Sequence, residues 1–346
     1  RQIRPDNGSG GADRRGFNID MQVQNLHEIQ NRPLLLENAE KSDYRVIEAT
    51  PVGASAAIIW PNLAHKDPKK RELLNTKDFR VALSHAIDRE EIIDLIFLGQ
   101  GEPWQLGPPK DHALYNEKLA KQFTEFDPET ANQILDGLGF DQRDSDGFRL
   151  DKDGERISLF VEYSARNTQM GDIMELVAQY WANIGVETKI ESTDNNFFQA
   201  RNANWDDEIQ INTGDNGGVE AIWRPVMYVP LEDDSRWAVP WAFWYLSGGS
   251  EGEEPPQEVK DRFAAYEKVR AALPGQEQED AMRAVLDMTA EAFEGIGIAS
   301  PARGQGIVKN GLKNVPDQMP YGFIYLVPQP TMPATYYWED EARRQG

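Results

Sequence analysis

The chain has 346 residues, which allows about two domains and a sizeable core. Its formal net charge of −22 speaks against a nucleic-acid partner, because neutralising phosphates takes Lys and Arg in excess. It has no cysteine, which removes disulfides, thiolate nucleophiles and Cys-ligated zinc together.

The four histidines, His27, His65, His85 and His112, show no HExxH-type pairing, and neither a metal nor a cofactor is expected. No apolar run reaches the ~18 residues of a membrane span, and no signal peptide is recognisable. The opening "RQIRPDNGSGGADRRG" is polar, Gly-rich and lacks an initiating Met; it reads as the disordered or truncated start of a fragment. Residues 17–45 begin with apolar alternation in "FNIDMQV" and continue into a helix. "DYRVIEATP" and "ASAAIIWPN" then read as strands, broken by Pro51 and Gly53.

The stretch "NTKDFRVALSHAIDREEIIDLIFLGQG" has helical periodicity on both sides of four charges. Phe79, Leu83 and Ile87 fall at i, i+4, i+8; Ile92, Leu95 and Ile96 follow, and Gly99 or Gly101 stops the helix. Asp88 and Glu91 have capping-box spacing, so two helices are expected to meet at a bend, each side chain bonding the other's backbone N–H. The competing reading is a catalytic Asp-Arg-Glu cluster, but charges in a first helical turn serve caps and the helix dipole.

"FDPETANQILDGLGF" repeats the grammar, with Asp127 as N-cap, Pro128 at the first helical position and Gly139 as the stop. "DSDGFRLDKDGER" looks superficially like a calcium loop. With Gly147 as sixth residue, Gln142 stands first and Asp153 last, so the first ligand and the bidentate Glu are missing. A turn with a short hairpin is expected instead. "RISLFVEYS", "MGDIMELVAQYWANIG" and "VETKIES" then read as strand, helix and strand, a parallel pair with a right-handed crossover. After a helical stretch around 197–202, "DEIQINT" gives a third strand, with Asn212 and Asp215 at its carboxyl end, where open α/β sheets bind ligands. Trp237, Trp241 and Trp244 at i, i+4, i+7 read as a core-facing helical stripe with Pro240 near a helix start. "SGGSEGEEPP" reads as an exposed acidic loop. Helices over 257–273 and 276–293 are divided by Pro274-Gly275; strands in a crossing segment and a polar tail close the chain.

The order "DFRVALSHAIDREEIIDLIFLGQGEP", "FDPETANQILDGLGF", "DGFRLDKDGERISLFV", "IGVETKIES" resembles the family 5 extracellular solute-binding proteins of ABC importers, which include dipeptide- and oligopeptide-binding proteins. The first element is similar to the family's "rVRqAlsyAiDReeiid" and "FNIDM" to its "GEIDM" strand; the match runs from about Phe17 to about Val315. The resemblance implies an α/β, periplasmic-binding-protein-like fold of the type II, Venus-flytrap kind, mostly lobe II with a partial lobe I. Residues 1–51 would be a lead, the end of lobe I and the hinge; 52–300 lobe II; and 301–346 the return to lobe I and the tail. It also implies a C-terminal part of a longer protein, periplasmic or extracellular and monomeric when complete, with ABC permease subunits as membrane partners.

By the same resemblance, "NWDDEIQINTGD" corresponds to the stretch leading to an Asp that pairs with the α-amino group of a bound peptide, at Asp215. The pattern departs where the family's "W-x-x-D-Y-x-[DE]-P" becomes "NTGDNGGVE", with Asn212 in place of the Trp. Asn and Asp beside several Trp suit a sugar equally, and an Asx-turn in "DNGG" is the plain structural alternative for Asp215. Trp223 and Arg224 are weaker candidates for stacking and for carboxylate contact. The main functional expectation is capture of a peptide or similar small solute, without catalysis. The alternatives are an oligosaccharide-binding member, a carboxylate-dependent glycoside hydrolase, and a truncated product that folds but binds nothing.

Overall fold

A computed structural model describes residues 19–23, 29–322 and 331–339; the Gly-rich lead, Phe17 and Asn18 of "FNIDM" and the end of the polar tail lie outside the described residues. The chain enters through β1 (Met21–Gln22), a 3-10 turn (Ile29–Asn31), α1 (Arg32–Asn38) and β2 (Tyr44–Pro51), then crosses at 52–54 into β3 (Ser55–Pro61). There follow α2 (Pro68–Asn75), α3 (Lys77–His85), α4 (Arg89–Ile96), α5 (Glu117–Lys121), α6 (Pro128–Gly137), β4 (Ser158–Ser164), α7 (Thr168–Asn183) and β5 (Glu187–Thr193). Next come α8 (Asn195–Ala203), β6 (Ile209–Gly214), α9 (Glu220–Trp223), α10 (Val239–Leu246), α11 (Gln257–Ala271), α12 (Gln276–Ala292) and β7 (Ile296–Gly297). The chain then crosses back into β8 (Gly304–Lys309), β9 (Leu312–Lys313), β10 (Gln318–Tyr321) and β11 (Tyr337–Trp338).

The larger sheet has the order β5-β4-β6-β3-β7, the smaller one β1-β8-β2-β10, and β9 pairs with β11 as a ribbon. β4 runs parallel to β5 and β6, while β3 is antiparallel to β6 and β7. The strand–helix–strand unit expected between Ile157 and Thr193 is therefore present as a parallel pair with α7 between its strands. Each sheet has its own apolar core: the larger one centres on residues such as Trp60, Phe79, Leu159 and Trp181, the smaller one on Val23, Ile47, Val308 and Met319.

Local chemistry explains the elements. α7 turns Met170, Ile173, Met174, Val177 and Trp181 inward at helical spacing. Burying each such side chain contributes about 1.5–3 kcal/mol. The Trp181 indole N–H also donates to the Leu83 carbonyl at 2.9 Å, tying α7 to α3. The charges at 88–91 do separate two helices. Asp88 caps α4 by accepting from the Glu91 N–H at 3.0 Å. The reciprocal half of the capping box is replaced, because the Glu91 carboxylate instead accepts from the Tyr180 hydroxyl at 2.6 Å. Arg89 is buried and donates to the carbonyls of Ser84 and Gly297, both at 2.9 Å, so it braces the bend rather than serving chemistry.

Asp127 caps α6 from the Thr130 N–H at 2.9 Å, Pro128 opens the helix, and Gly139 follows with a φ of +87°. In the calcium-like segment, Asp144 and Asp151 each fold their own turn by accepting from backbone N–H groups two and four residues ahead. Lys69 pairs with the carboxylates of the second turn, its ammonium 2.7, 3.0 and 2.6 Å from Asp151, Asp153 and Glu155, while Arg156 takes Asp144 and Asp146, both at 2.6 Å. The tryptophan stripe differs from expectation in one respect. Pro240 sits in the first turn of α10, so Trp237 precedes the helix; Trp237 and Trp241 still pack edge to face in the core, 6.1 Å apart. α11 stops at Ala271, two residues short of the expected end, because Pro274 holds the residue before it extended. In the acidic loop, Glu253 pairs with Arg71 at 2.7 Å and Pro255 is buried, so that loop is anchored at its end.

Candidate functional site at the carboxyl edge of the larger sheet

The parallel strands β4, β5 and β6 end at Ser164, Thr193 and Gly214, on one edge of the larger sheet. Antiparallel β3 begins on that edge, with Ser55 opposite Gly214. The crossover between the two sheets therefore arrives beyond the carboxyl ends of the parallel strands, where open α/β sheets place their ligands.

The loop after β6, "GDNGGV", is fastened to the crossover by its backbone. The Ala54 N–H donates to Gly214 O at 2.7 Å and the Gly217 N–H to Val52 O at 3.0 Å. A Cβ on Gly217 would lie 2.3 Å from Gly53 O, so only glycine allows this approach. Val52 in turn donates to Tyr321 O of the smaller sheet at 3.0 Å. One strand of backbone thus links the smaller sheet, the crossover and the loop carrying Asp215.

Asp215 keeps part of its surface open, yet protein closes around it. Burial, reinforced by Asp234 and opposed by Arg236 and Arg224, pushes its carboxyl up to about 6. Among the described residues its carboxylate makes no hydrogen bond and no ion pair within 4 Å. Asn212 is half-buried on β6, and its side-chain carbonyl accepts from the Thr213 N–H at 3.0 Å. Trp223, the last residue of α9, is 56% exposed. Arg224 is engaged: its guanidinium donates to Glu232 at 2.8 Å and to Asp234 at 2.6 Å. The fold therefore puts Asn212 and Asp215 at the carboxyl end of β6, Trp223 at the end of α9, and commits Arg224 to Glu232 and Asp234.

The sequence reading missed two polar side chains, one on the loop after β6 and one at the start of α9. Asn216, left-handed at φ +59°, is 1% exposed, and both atoms of its amide group lack partners among the described residues. Glu220 is 2% exposed, one carboxylate oxygen is unpartnered, and burial pushes its pKa up. The acid on either side of a glycine pair in "DNGGVE" was the available signal. Further back, Asp207 is 1% exposed with an unpartnered oxygen; burial, then Glu162, pushes its carboxyl up to about 7 against Arg236 and Arg201.

The model of "Bacterial extracellular solute-binding proteins, family 5 Middle" matches residues 20–221, more than half of the chain. The chain belongs to this family. Oligopeptide-binding protein AppA of Bacillus subtilis is 31% identical over 156 residues, which are 41% of this chain and 26% of that protein. Dipeptide-binding protein of Pseudomonas aeruginosa is 25% identical over 201 residues, 57% of this chain and 34% of the relative. A solved oligopeptide-binding protein OppA superposes with a TM-score of 0.75 at 26% identity, covering 93% of this chain and 53% of that one. The periplasmic binding protein MelB of Agrobacterium fabrum, solved with stachyose, shares the fold with a TM-score of 0.69 at 18% identity, over 86% of this chain and 45% of its own. The chain thus spans about half or less of each protein it matches, and its fold is that of the periplasmic binding proteins.

Proposed function

We propose that the chain acts in the substrate-binding component of an ABC importer, capturing a peptide or similar small solute and releasing it unchanged to a membrane permease. The larger unit, 52–300, is lobe II; the smaller sheet, from segments before 52 and after 300, belongs to lobe I, and the solute lies between them. The observation that carries this reading is the unpartnered Asp215 carboxylate at the edge where the crossover enters. A carboxylate held in a low-dielectric place without a partner is matched to a cation, and a peptide's α-ammonium supplies one. Capture needs only different affinities in open and closed arrangements of the lobes. The family consists of solute-binding proteins rather than enzymes. Within this site Glu220, an acidic neighbour of Asp215, is buried behind Gly218, which does not suit paired-carboxylate hydrolysis.

An oligosaccharide reading is favoured by the exposed Trp223 ring, since sugar C–H faces stack on aromatic rings. The protein works outside the cytoplasmic membrane, in the periplasm or at the cell surface, as a monomer. Among the described residues no helix is long and apolar enough to cross a membrane. Calorimetry with short peptides and with oligosaccharides separates the ligand classes. Binding of neither class would refute the transport reading, and turnover of chromogenic glycosides would replace it with hydrolysis.

A further inference from the structure

Two side chains that line one small cavity in the larger unit each carry a buried polar atom with no partner among the described residues. Trp60, in β3, is 1% exposed, and its indole Nε1–H has no acceptor among the described residues. Gln122 follows α5. Its Nε2 donates to Ala290 O of α12 at 2.8 Å, which fixes the amide orientation and leaves the carbonyl Oε1 as the other end. That oxygen is also buried and unpartnered. Both side chains line the same cavity, together with Thr289 and Glu294.

The cavity volume is about 10 Å³, room for one water centre and nothing larger. A wholly apolar cavity of this size stays dry, but a donor and an acceptor on its wall reverse that preference. Left unmade, each of the two hydrogen bonds leaves a buried polar group with its desolvation penalty uncompensated. We infer that this cavity is a binding site for one ordered water, which links β3, α5 and α12. The water oxygen accepts from Trp60 Nε1–H, and one hydrogen is donated to Gln122 Oε1. The second hydrogen goes to Glu294, whose carboxylate keeps spare lone pairs beside its contacts with Arg262 at 2.6 and 2.9 Å.

The test is a water-to-indole nuclear Overhauser measurement on the whole chain with 15N-labelled tryptophan. Trp60→Phe identifies which of the nine indole signals belongs to Trp60. The expected result is a cross-peak from water to the Trp60 indole proton with the sign of a long-lived bound water. It should persist in Thr289→Val, which removes the hydroxyl as a relay, and fall at least severalfold in Gln122→Met. A Trp60 signal without a water cross-peak overturns the inference on the unaltered protein alone. So does a cross-peak that disappears in Thr289→Val or is unchanged in Gln122→Met.

Discussion

Two acid-rich stretches of similar length have opposite fates. In "DREE", Asp88 caps a helix, Arg89 is buried against carbonyls, and Glu91 holds the Tyr180 hydroxyl. In "DNGGVE", Asn216 and Glu220 keep buried polar atoms without partners among the described residues, and the largely buried Asp215 carboxylate makes no hydrogen bond or ion pair among them. Charge alone does not separate scaffold from site; the accounting of partners does. A buried group that protein already satisfies stabilises the fold, whereas one left open at a sheet edge is ready for a ligand.

The comparison breaks most sharply at Arg89. Arg89→Ala removes the guanidinium donors from the Gly297 and Ser84 carbonyls, of which the Ser84 carbonyl keeps the Ile87 N–H at 3.2 Å. The expected loss is about 3–5 kcal/mol of unfolding free energy, from the loss of buried hydrogen bonds donated by a charged group. An unfolding free energy from denaturant titration within about 0.5 kcal/mol of the parent, as for a surface substitution, would mean that the bend does not depend on Arg89. Asp215→Ala should do the reverse. Peptide affinity falls by about 2–5 kcal/mol as the anchor for a cation is lost, while the unfolding midpoint stays level or rises, since a buried carboxylate is removed.

Asp207 sharpens the contrast through pH. Its folded-state carboxyl lies near 7, above the ordinary Asp value, so its contribution to stability is fully present in acid and is lost as pH rises to about 7. The span is at most ~4 kcal/mol, and Asp207→Asn should flatten that part of the stability–pH curve; an unchanged curve would show that Asp207 is not the titrating group. The smallest effect is expected at Asp88→Ala, about 1 kcal/mol for a lost N-cap, read from thermal unfolding with ligand affinity unchanged.

Much of the scaffold was legible because its signals are local. The period of two in "SLFVEYS" and of about 3.6 in "MGDIMELVAQYWANIG" appears directly as β4 and α7. Asp127 followed by Pro128 marked the start of α6 for a local reason as well. What was illegible depends on partners distant in the chain. Glu91 prefers Tyr180, 89 residues away, to the neighbouring backbone. β2 finds β8 and β10 across more than 200 residues of the larger unit. At the site, the sequence pointed to Asp215 and the end of β6, but whether a polar atom lacks a partner is a property of three dimensions. Asn216 and Glu220 therefore went unread, and the ion pairs of Arg224, a weaker candidate for carboxylate contact, with Glu232 and Asp234 are likewise visible only in the fold.

The most direct test concerns the Asp215 carboxylate itself. Titration calorimetry would compare a panel of alanine tripeptides with the same peptides acetylated at the amino terminus, at pH 7.5 and at pH 5. The account expects acetylation to weaken binding at least tenfold at pH 7.5. It also expects the free peptides to lose affinity at pH 5, where a carboxyl near 6 is protonated. Equal affinity for free and acetylated peptides at both pH values would contradict it.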